Sequence, residues 1–371
     1  MHRLSIAALA FALLLTAAPA RAEEAPPPAV PPAAAPAAPP APKWYDTFEI
    51  HGLVDAYWAG NPAVAQSTTN ALRGFDAANG FELSYAKLTA QLSPDPAGFR
   101  IDLGYGRTAS VLNGGTPSST SISAVVVQQA YASLKLPADI VLDAGRFVTA
   151  AGAEVIEAKD NLLYSRSILF YNAIPYAHLG ARFTLPIKPV EGLSVMAGLV
   201  NGWDNPPAVV GSTKAGLLSV LYSGPSATTL ALNVIFGDVN SSATDPRLLI
   251  DVVLGRAFGD LTLSLNGDFG TQKVSDQQLS YYGAALAGRY ALLGDALRIA
   301  ARVEYFGDPD GLSLGVADAS YYEATLGLGI PVGKNGELRI EARADGCGGE
   351  KEVFNGKNSQ FVGQVAALAW F

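Results

Sequence analysis

Glu337-Leu338-Arg339-Ile340-Glu341-Ala342-Arg343-Ala344-Asp345 changes character at every residue, charged at the odd numbers and apolar at the even ones. Side chains of a β-strand point alternately to opposite faces, so this stretch reads as a strand with one greasy face and one that needs water or counter-charge. The same period recurs outward from it. In 295–306, Leu297, Ile299, Ala301, Val303 and Tyr305 oppose Arg298, Ala300, Arg302 and Glu304. Leu261, Leu263 and Leu265 oppose Thr262, Ser264 and Asn266, and Ala177, Leu179, Ala181, Phe183 and Leu185 oppose Tyr176, His178, Arg182 and Thr184. From Phe361 to Phe371 every odd position is apolar or glycine and the last is an aromatic ring. That suits a strand that closes a membrane barrel and finishes at the lipid interface.

From Phe48 onward such runs number about sixteen, with strands beginning near Phe48, Phe81, Phe99, Val125, Ile140, Tyr176, Leu193, Ala215, Thr228, Leu248, Leu261, Tyr281, Ala296, Tyr321, Glu337 and Ser359. Tight turns follow the even-numbered strands and longer loops the odd-numbered ones. The pattern predicts an all-β fold, a transmembrane antiparallel β-barrel of about 16 strands with short periplasmic turns and longer extracellular loops. In that topology Trp44, Phe48, Tyr222, Tyr290 and Trp370 fall at the periplasmic rim, and Trp58, Trp203, Tyr281, Tyr305 and Tyr321 at the outer rim, as two interfacial girdles. A secreted sandwich or propeller also alternates but gathers its aromatics in a core.

Residues 1–22 read as an export signal: a basic Met1-His2-Arg3, an apolar Leu4 to Leu15 too short for a spanning helix, and Ala20-Arg21-Ala22 or Ala18-Pro19-Ala20 as a small-x-small cleavage site. Residues 23–43 are almost all Pro and Ala and read as a linker, leaving 44–371 for the barrel. The expected location is the outer membrane of a Gram-negative bacterium, with membrane lipid as the surrounding partner. A pI near 5.0, a formal charge of -8 and the lack of a basic stripe argue against nucleic acid. Cys347 is the one cysteine, which excludes an intramolecular disulfide and a cysteine-clustered metal site; its glycine neighbours suggest a loop with a passive thiol. No motif calls for a cofactor.

Leu142-Asp143-Ala144-Gly145-Arg146-Phe147, Gly152-Ala153-Glu154, Asn161-Leu162-Leu163-Tyr164-Ser165-Arg166-Ser167, Ile174-Pro175-Tyr176-Ala177-His178-Leu179-Gly180-Ala181-Arg182 and Val200-Asn201-Gly202-Trp203-Asp204-Asn205 follow one another in the middle of the chain. In this order they resemble the β-barrel porin 2 family, the outer-membrane porin L-like group. The specific match covers about Asp139 to Asn205, with Gly52-Leu53-Val54-Asp55-Ala56-Tyr57 and Gln129-Ala130-Tyr131 also fitting. The resemblance implies an outer-membrane channel without specifying a solute. Leu162-Leu163 is more apolar than that loop would lead one to expect.

A barrel of about 16 strands is wide enough for a water-filled channel, so passive diffusion of small hydrophilic solutes or ions is the expected function. The lumen face carries Arg100, Asp102, His178, Arg182, Asp268, Arg298, Arg302, Glu304, Glu323, Arg339, Glu341 and Arg343. Opposed charges there can filter ions or simply neutralise one another across strands; the structural role is the expectation for most pairs. The connection 150–174 is the third long loop, and its Glu154, Glu157, Lys159, Asp160 and Arg166 are candidates for a constriction. The rivals are a barrel hydrolase and, further behind, an adhesin. Beyond residue 22 the histidines are His51 and His178, and neither sits in a nucleophile elbow, zinc signature or triad motif, so a non-enzyme is expected. Sixteen-stranded porins commonly trimerise, and Ala284, Gly288 and Ala324 are small enough for close barrel contact in a homotrimer.

Overall fold

The computed structural model describes residues 47–62, 72–76, 79–114, 125–203, 214–239, 246–349 and 351–371. The signal and linker segments and Trp44 lie outside them. Sixteen strands follow in order: β1 Phe48–Gly60, β2 Gly80–Leu92, β3 Ala97–Tyr105, β4 Val126–Lys135, β5 Val141–Val148, β6 Ala177–Pro186, β7 Leu193–Val200 and β8 Ala215–Gly224. Then come β9 Thr228–Asp238, β10 Pro246–Phe258, β11 Leu261–Val274, β12 Gln277–Leu292, β13 Leu297–Asp308, β14 Ala319–Pro331, β15 Gly336–Cys347 and β16 Ser359–Trp370. Each pairs antiparallel with its sequence neighbours, and β1 pairs with β16 from Leu53↔Trp370 to Gly60↔Gly363, closing the barrel. Two bonds carry the closure one residue further: the Gly52 N–H donates to the Phe371 carbonyl at 3.1 Å, and the Phe371 N–H to the Gly52 carbonyl at 3.0 Å. Closure leaves no strand edge unpaired, which a lipid-facing sheet requires.

Alternation sorts the side chains as the sequence predicts. On β15, Leu338, Ile340, Ala342 and Ala344 are exposed while Glu337, Arg339, Glu341, Arg343 and Asp345 are buried. Ile50, Val54, Leu88, Leu218, Leu232, Val252, Leu286, Val303 and Leu326 continue the exposed apolar band round the wall. No helix among the described residues is long and apolar enough to cross a membrane.

Three features differ from the sequence reading. β12 starts at Gln277, not near Tyr281, and it joins β11 through Ser275-Asp276 alone. One odd-numbered connection is therefore a tight turn, with Ser275 at φ 56°. Tyr281, Tyr321 and Trp203 are buried inside the barrel instead of lying in the outer girdle, and Trp370 turns into the bore instead of joining the periplasmic one. Their neighbours Tyr282 and Tyr322 face outward and flank Tyr305 at ring distances of 6.0 and 5.4 Å. Cys347 is the last residue of β15 and is buried, not set in a loop.

The interior is layered. Toward the long connections, Leu217, Ile235, Leu249, Tyr281, Phe306 and Tyr321 of the wall pack with residues of three connections. These are Leu72 and Phe75 between β1 and β2, Val111 and Leu112 of helix α1 (Arg107–Leu112), and Ile168, Leu169 and Phe170 of helix α2 (Ile168–Asn172). Charged side chains dominate the level below. Toward the short turns lie two spaces of about 240 and 370 Å³, both bordered by Asp160.

Candidate functional site: the third connection inside the bore

The segment between β5 and β6, hereafter L3, runs from Thr149 to Tyr176 and lies within the barrel. Irregular backbone in the interior must find partners for its N–H and C=O groups, and here the bore wall provides them. Glu304 of β13 accepts from the N–H groups of Ile168 at 2.7 Å and Leu169 at 2.6 Å. Ser167 caps the same helix, its hydroxyl accepting from Phe170 N–H at 3.0 Å. Three of the N–H groups that open α2 are thereby satisfied. Glu341 of β15 accepts from Tyr164 N–H, and from Ser165 N–H at 3.0 Å. Arginines take the carbonyls: Arg302 donates to Ser165 at 2.8 Å, Arg343 to Arg166 at 2.6 Å, and Arg339 to Ala158 at 2.8 Å.

The wall charges are paired with one another as well. Arg302 meets Glu323 at 2.7 Å, Arg339 meets Glu337 at 2.8 Å, and Arg343 meets Asp345 at 2.7 Å. Glu304 and Glu323 are directly opposed across β13 and β14, a like-charge contact that destabilises a sheet unless each carboxylate has its own donors. Arg302 serves Glu323 and the α2 amides serve Glu304. Docking of L3 and neutralisation of the wall are one arrangement.

The sequence-predicted loop residues occupy distinct places. Glu154 bonds Arg302 at 2.6 Å and accepts from Ser167 N–H at 2.7 Å. Glu157 pairs with Lys87 of β2, which also reaches Asp102 at 2.8 Å. Lys159 pairs with Asp160 at 2.8 Å and lies 5.9 Å from the ring of Trp370, which faces the bore. Arg166 donates to Tyr164 O at 2.6 Å and to Ile156 O, and its guanidinium sits 5.7 Å from the Phe75 ring. Tyr164 donates to Asp55 at 2.8 Å; burial pushes the phenol well above its usual range, so it stays a donor.

The other predicted lining residues divide between the level of L3 and the ends of the wall. Arg100 pairs with Asp102 at 3.1 Å, Arg182 with Asp143 at 3.0 Å, and Arg298 with Glu337 at 3.1 Å. Arg182 also stacks 4.3 Å from the Phe147 ring. His178 is buried, its Nε2 3.2 Å from Thr149 Oγ1. Asp268 is buried on β11, opposite Asp251 of β10. Lys87, Asp55, Glu337 and Asp345 are absent from the lumen residues of the sequence reading, although it places Glu337 and Asp345 on the charged face of their strand. Parity along β1, β2 and β15 carries the signal for all four, since each lies in step with an inward neighbour. Arg73 and Asp76, paired at 2.7 Å within the β1–β2 connection, carry no such signal.

Leu162-Leu163, too apolar for a surface loop, is explained by its seat. Leu163 is 2 % exposed, and its Cδ2 fills the space over Gly327 of β14, where a Cβ would stand only 2.7 Å from it. Four rings complete the docking. Phe75 lies 5.5 Å from Phe170, 5.9 Å from Tyr171 and 5.3 Å from Tyr176, the last two edge-on. Aromatic pairs of this kind contribute about 0.5–1.5 kcal/mol each beyond area burial, so the nest ties the β1–β2 connection firmly to L3.

Comparison with known proteins supports the same architecture. Solved structures similar to this one include an anion-selective porin from Comamonas acidovorans, at 13% identity, a TM-score of 0.63, and coverage of 87% of this chain and 99% of the other. OprB of Pseudomonas putida matches at 14% identity and a TM-score of 0.58, with 88% and 94% covered. A trimer form of OmpT from Vibrio cholerae matches at 11% identity and a TM-score of 0.58, with 88% and 99% covered. At these identities the likeness shows the fold. No curated protein sequence matches the chain. The family model described as "Putative beta-barrel porin-2, OmpL-like" matches residues 47–371. The chain belongs to that family and is a porin-type β-barrel of the Gram-negative outer membrane.

Proposed function

We propose that this porin is a restrictive passive channel, admitting small hydrophilic solutes or ions whose passage L3 controls. The observation that carries the reading is the docking of L3 inside the bore by wall charges, which leaves spaces of about 240 and 370 Å³ beside it toward the short turns. The first space is bordered by Glu154 and Arg302, the second by Lys87, Arg100, Glu157 and Lys159. Both are lined by charges of opposite sign, which favour hydrated polar solutes over apolar ones. In this reading the barrel performs no chemistry and takes no cofactor. Homotrimers are proposed by analogy with the OmpT trimer, with the exposed Ala284 and Ala324 on the contact face.

Liposome swelling with purified, folded protein tests the proposal. Small sugars are expected to enter and larger oligosaccharides to be excluded. Failure of every solute to enter, together with hydrolysis of ester or peptide substrates by the same preparation, would move the assignment to a barrel enzyme. Cross-linking in native outer membranes should give a three-chain product.

A further inference from the structure

One row of the wall carries charge that L3 does not neutralise. Ser219 of β8, Asn233 of β9, Asp251 of β10 and Asp268 of β11 stand in register across four adjacent strands. All four point inward and all are buried, Asp251 at 0% and Asp268 at 4% exposure. Asp251 and Asp268 are direct cross-strand partners, a placement that ordinarily repels. Asp251 accepts from Asn233 Nδ2 at 2.6 Å and from Asn266 Nδ2 at 2.7 Å. Those donors are neutral amides and add no positive charge. Asp268 finds no N–H or hydroxyl donor for either oxygen among the described residues; the side chain within hydrogen-bonding reach of it is the Asp251 carboxylate, itself an acceptor, and Asn233 Oδ1 is without a donor as well. The charged groups acting on Asp268 are Asp251 and Glu304, both acids. L3 reaches the neighbouring Asn266, itself a donor to Asp251, through Ala153 N–H at 3.2 Å.

We propose that the facing carboxylates of Asp251 and Asp268, with the side-chain oxygen of Asn233, hold a divalent cation of the calcium type in the bore wall. Burying two carboxylates side by side without a compensating positive charge is strongly unfavourable. A proton shared between them fills one lone pair, leaving the second oxygen of Asp268 and the oxygen of Asn233 unsatisfied. A hard cation is bound by several oxygens at once, and two carboxylates balance its charge. The pair falls short of a three-carboxylate cluster; a flip of the Asn233 amide, which now turns its NH2 to Asp251, would present its oxygen there as the third side-chain ligand. Water or backbone carbonyls fill the remaining positions of an ion that takes about six to eight oxygens. The inference does not depend on whether the bore conducts.

The test uses full-length barrel folded in detergent, stripped with a chelator and titrated with CaCl2 by calorimetry, while thermal unfolding is followed with and without the ion. The expected result is about one Ca2+ per chain, a raised unfolding midpoint in wild type, and loss of both in Asp268→Asn, a substitution of the same shape. Asp251→Asn serves as the second variant should Asp268→Asn fail to insert. Wild type that binds no Ca2+ overturns the proposal, and an infrared band of a protonated carboxyl that vanishes in the variant would identify the shared proton instead. Equal binding by wild type and variant overturns it as well.

Discussion

At the residue scale, the bore-facing charges act on main-chain groups as much as on one another. Glu304 is the clearest instance, because its opposite neighbour is Glu323 and its donors are the Ile168 and Leu169 amides. Glu304→Gln keeps the shape but sets an NH2 group against an N–H donor. Hydrogen bonds to charged groups are worth about 1.5–3 kcal/mol, and the variant should lose about that much in equilibrium unfolding from lipid vesicles. An unchanged midpoint would mean that Glu304 does not hold α2. Gly327→Val should act by volume, pushing Leu163 off its seat. Overpacking costs about 1–3 kcal/mol, and faster amide exchange at 162–166 would report the displacement, whereas unchanged exchange would count against that seat. Parity made the direction of Arg302, Glu304, Arg339, Glu341 and Arg343 readable in the sequence. Their partners were not readable, because the backbone amides of a loop carry no residue signature.

At the scale of elements, L3 and the β1–β2 connection form one unit through Phe75. This ring is 3 % exposed and touches Phe170, Tyr171 and Tyr176. Phe75→Ala removes all three contacts, and buried Phe→Ala changes cost about 3–5 kcal/mol. Hydrogen exchange should therefore rise across 168–176 while β13 to β15 remain protected; protection unchanged in α2 would show that the nest is not what secures it. Strand starts were legible to within a few residues because alternation and turn residues agree along the wall. The inward layer was less so: Tyr281-Tyr282 and Tyr321-Tyr322 are adjacent aromatic pairs, and spacing alone does not say which ring of each meets lipid. Tertiary contacts decide. Tyr281 donates to Ala173 O at 2.6 Å and lies over Gly270, while Tyr282 joins Tyr305 outside.

At the scale of the molecule, sixteen antiparallel strands, an apolar exterior and a charged inner wall hold a long connection inside the barrel instead of over its mouth. The even strand count and closure followed from the sequence pattern. The filled upper half did not, because a bore lined by Leu217, Ile235, Leu249 and Phe306 is apolar on both faces of the sheet and alternation there is muted. The central claim is that L3, pinned by Arg302, Glu304, Arg339, Glu341 and Arg343, sets the passage. Single-channel recording in planar bilayers, comparing wild type with a chain lacking Val155 to Ser165, tests it most directly. The account predicts discrete open steps in wild type and larger ones in the deletion, with a shifted reversal potential in a salt gradient. Steps of the same size and selectivity in both, or silence from both folded barrels, would contradict it.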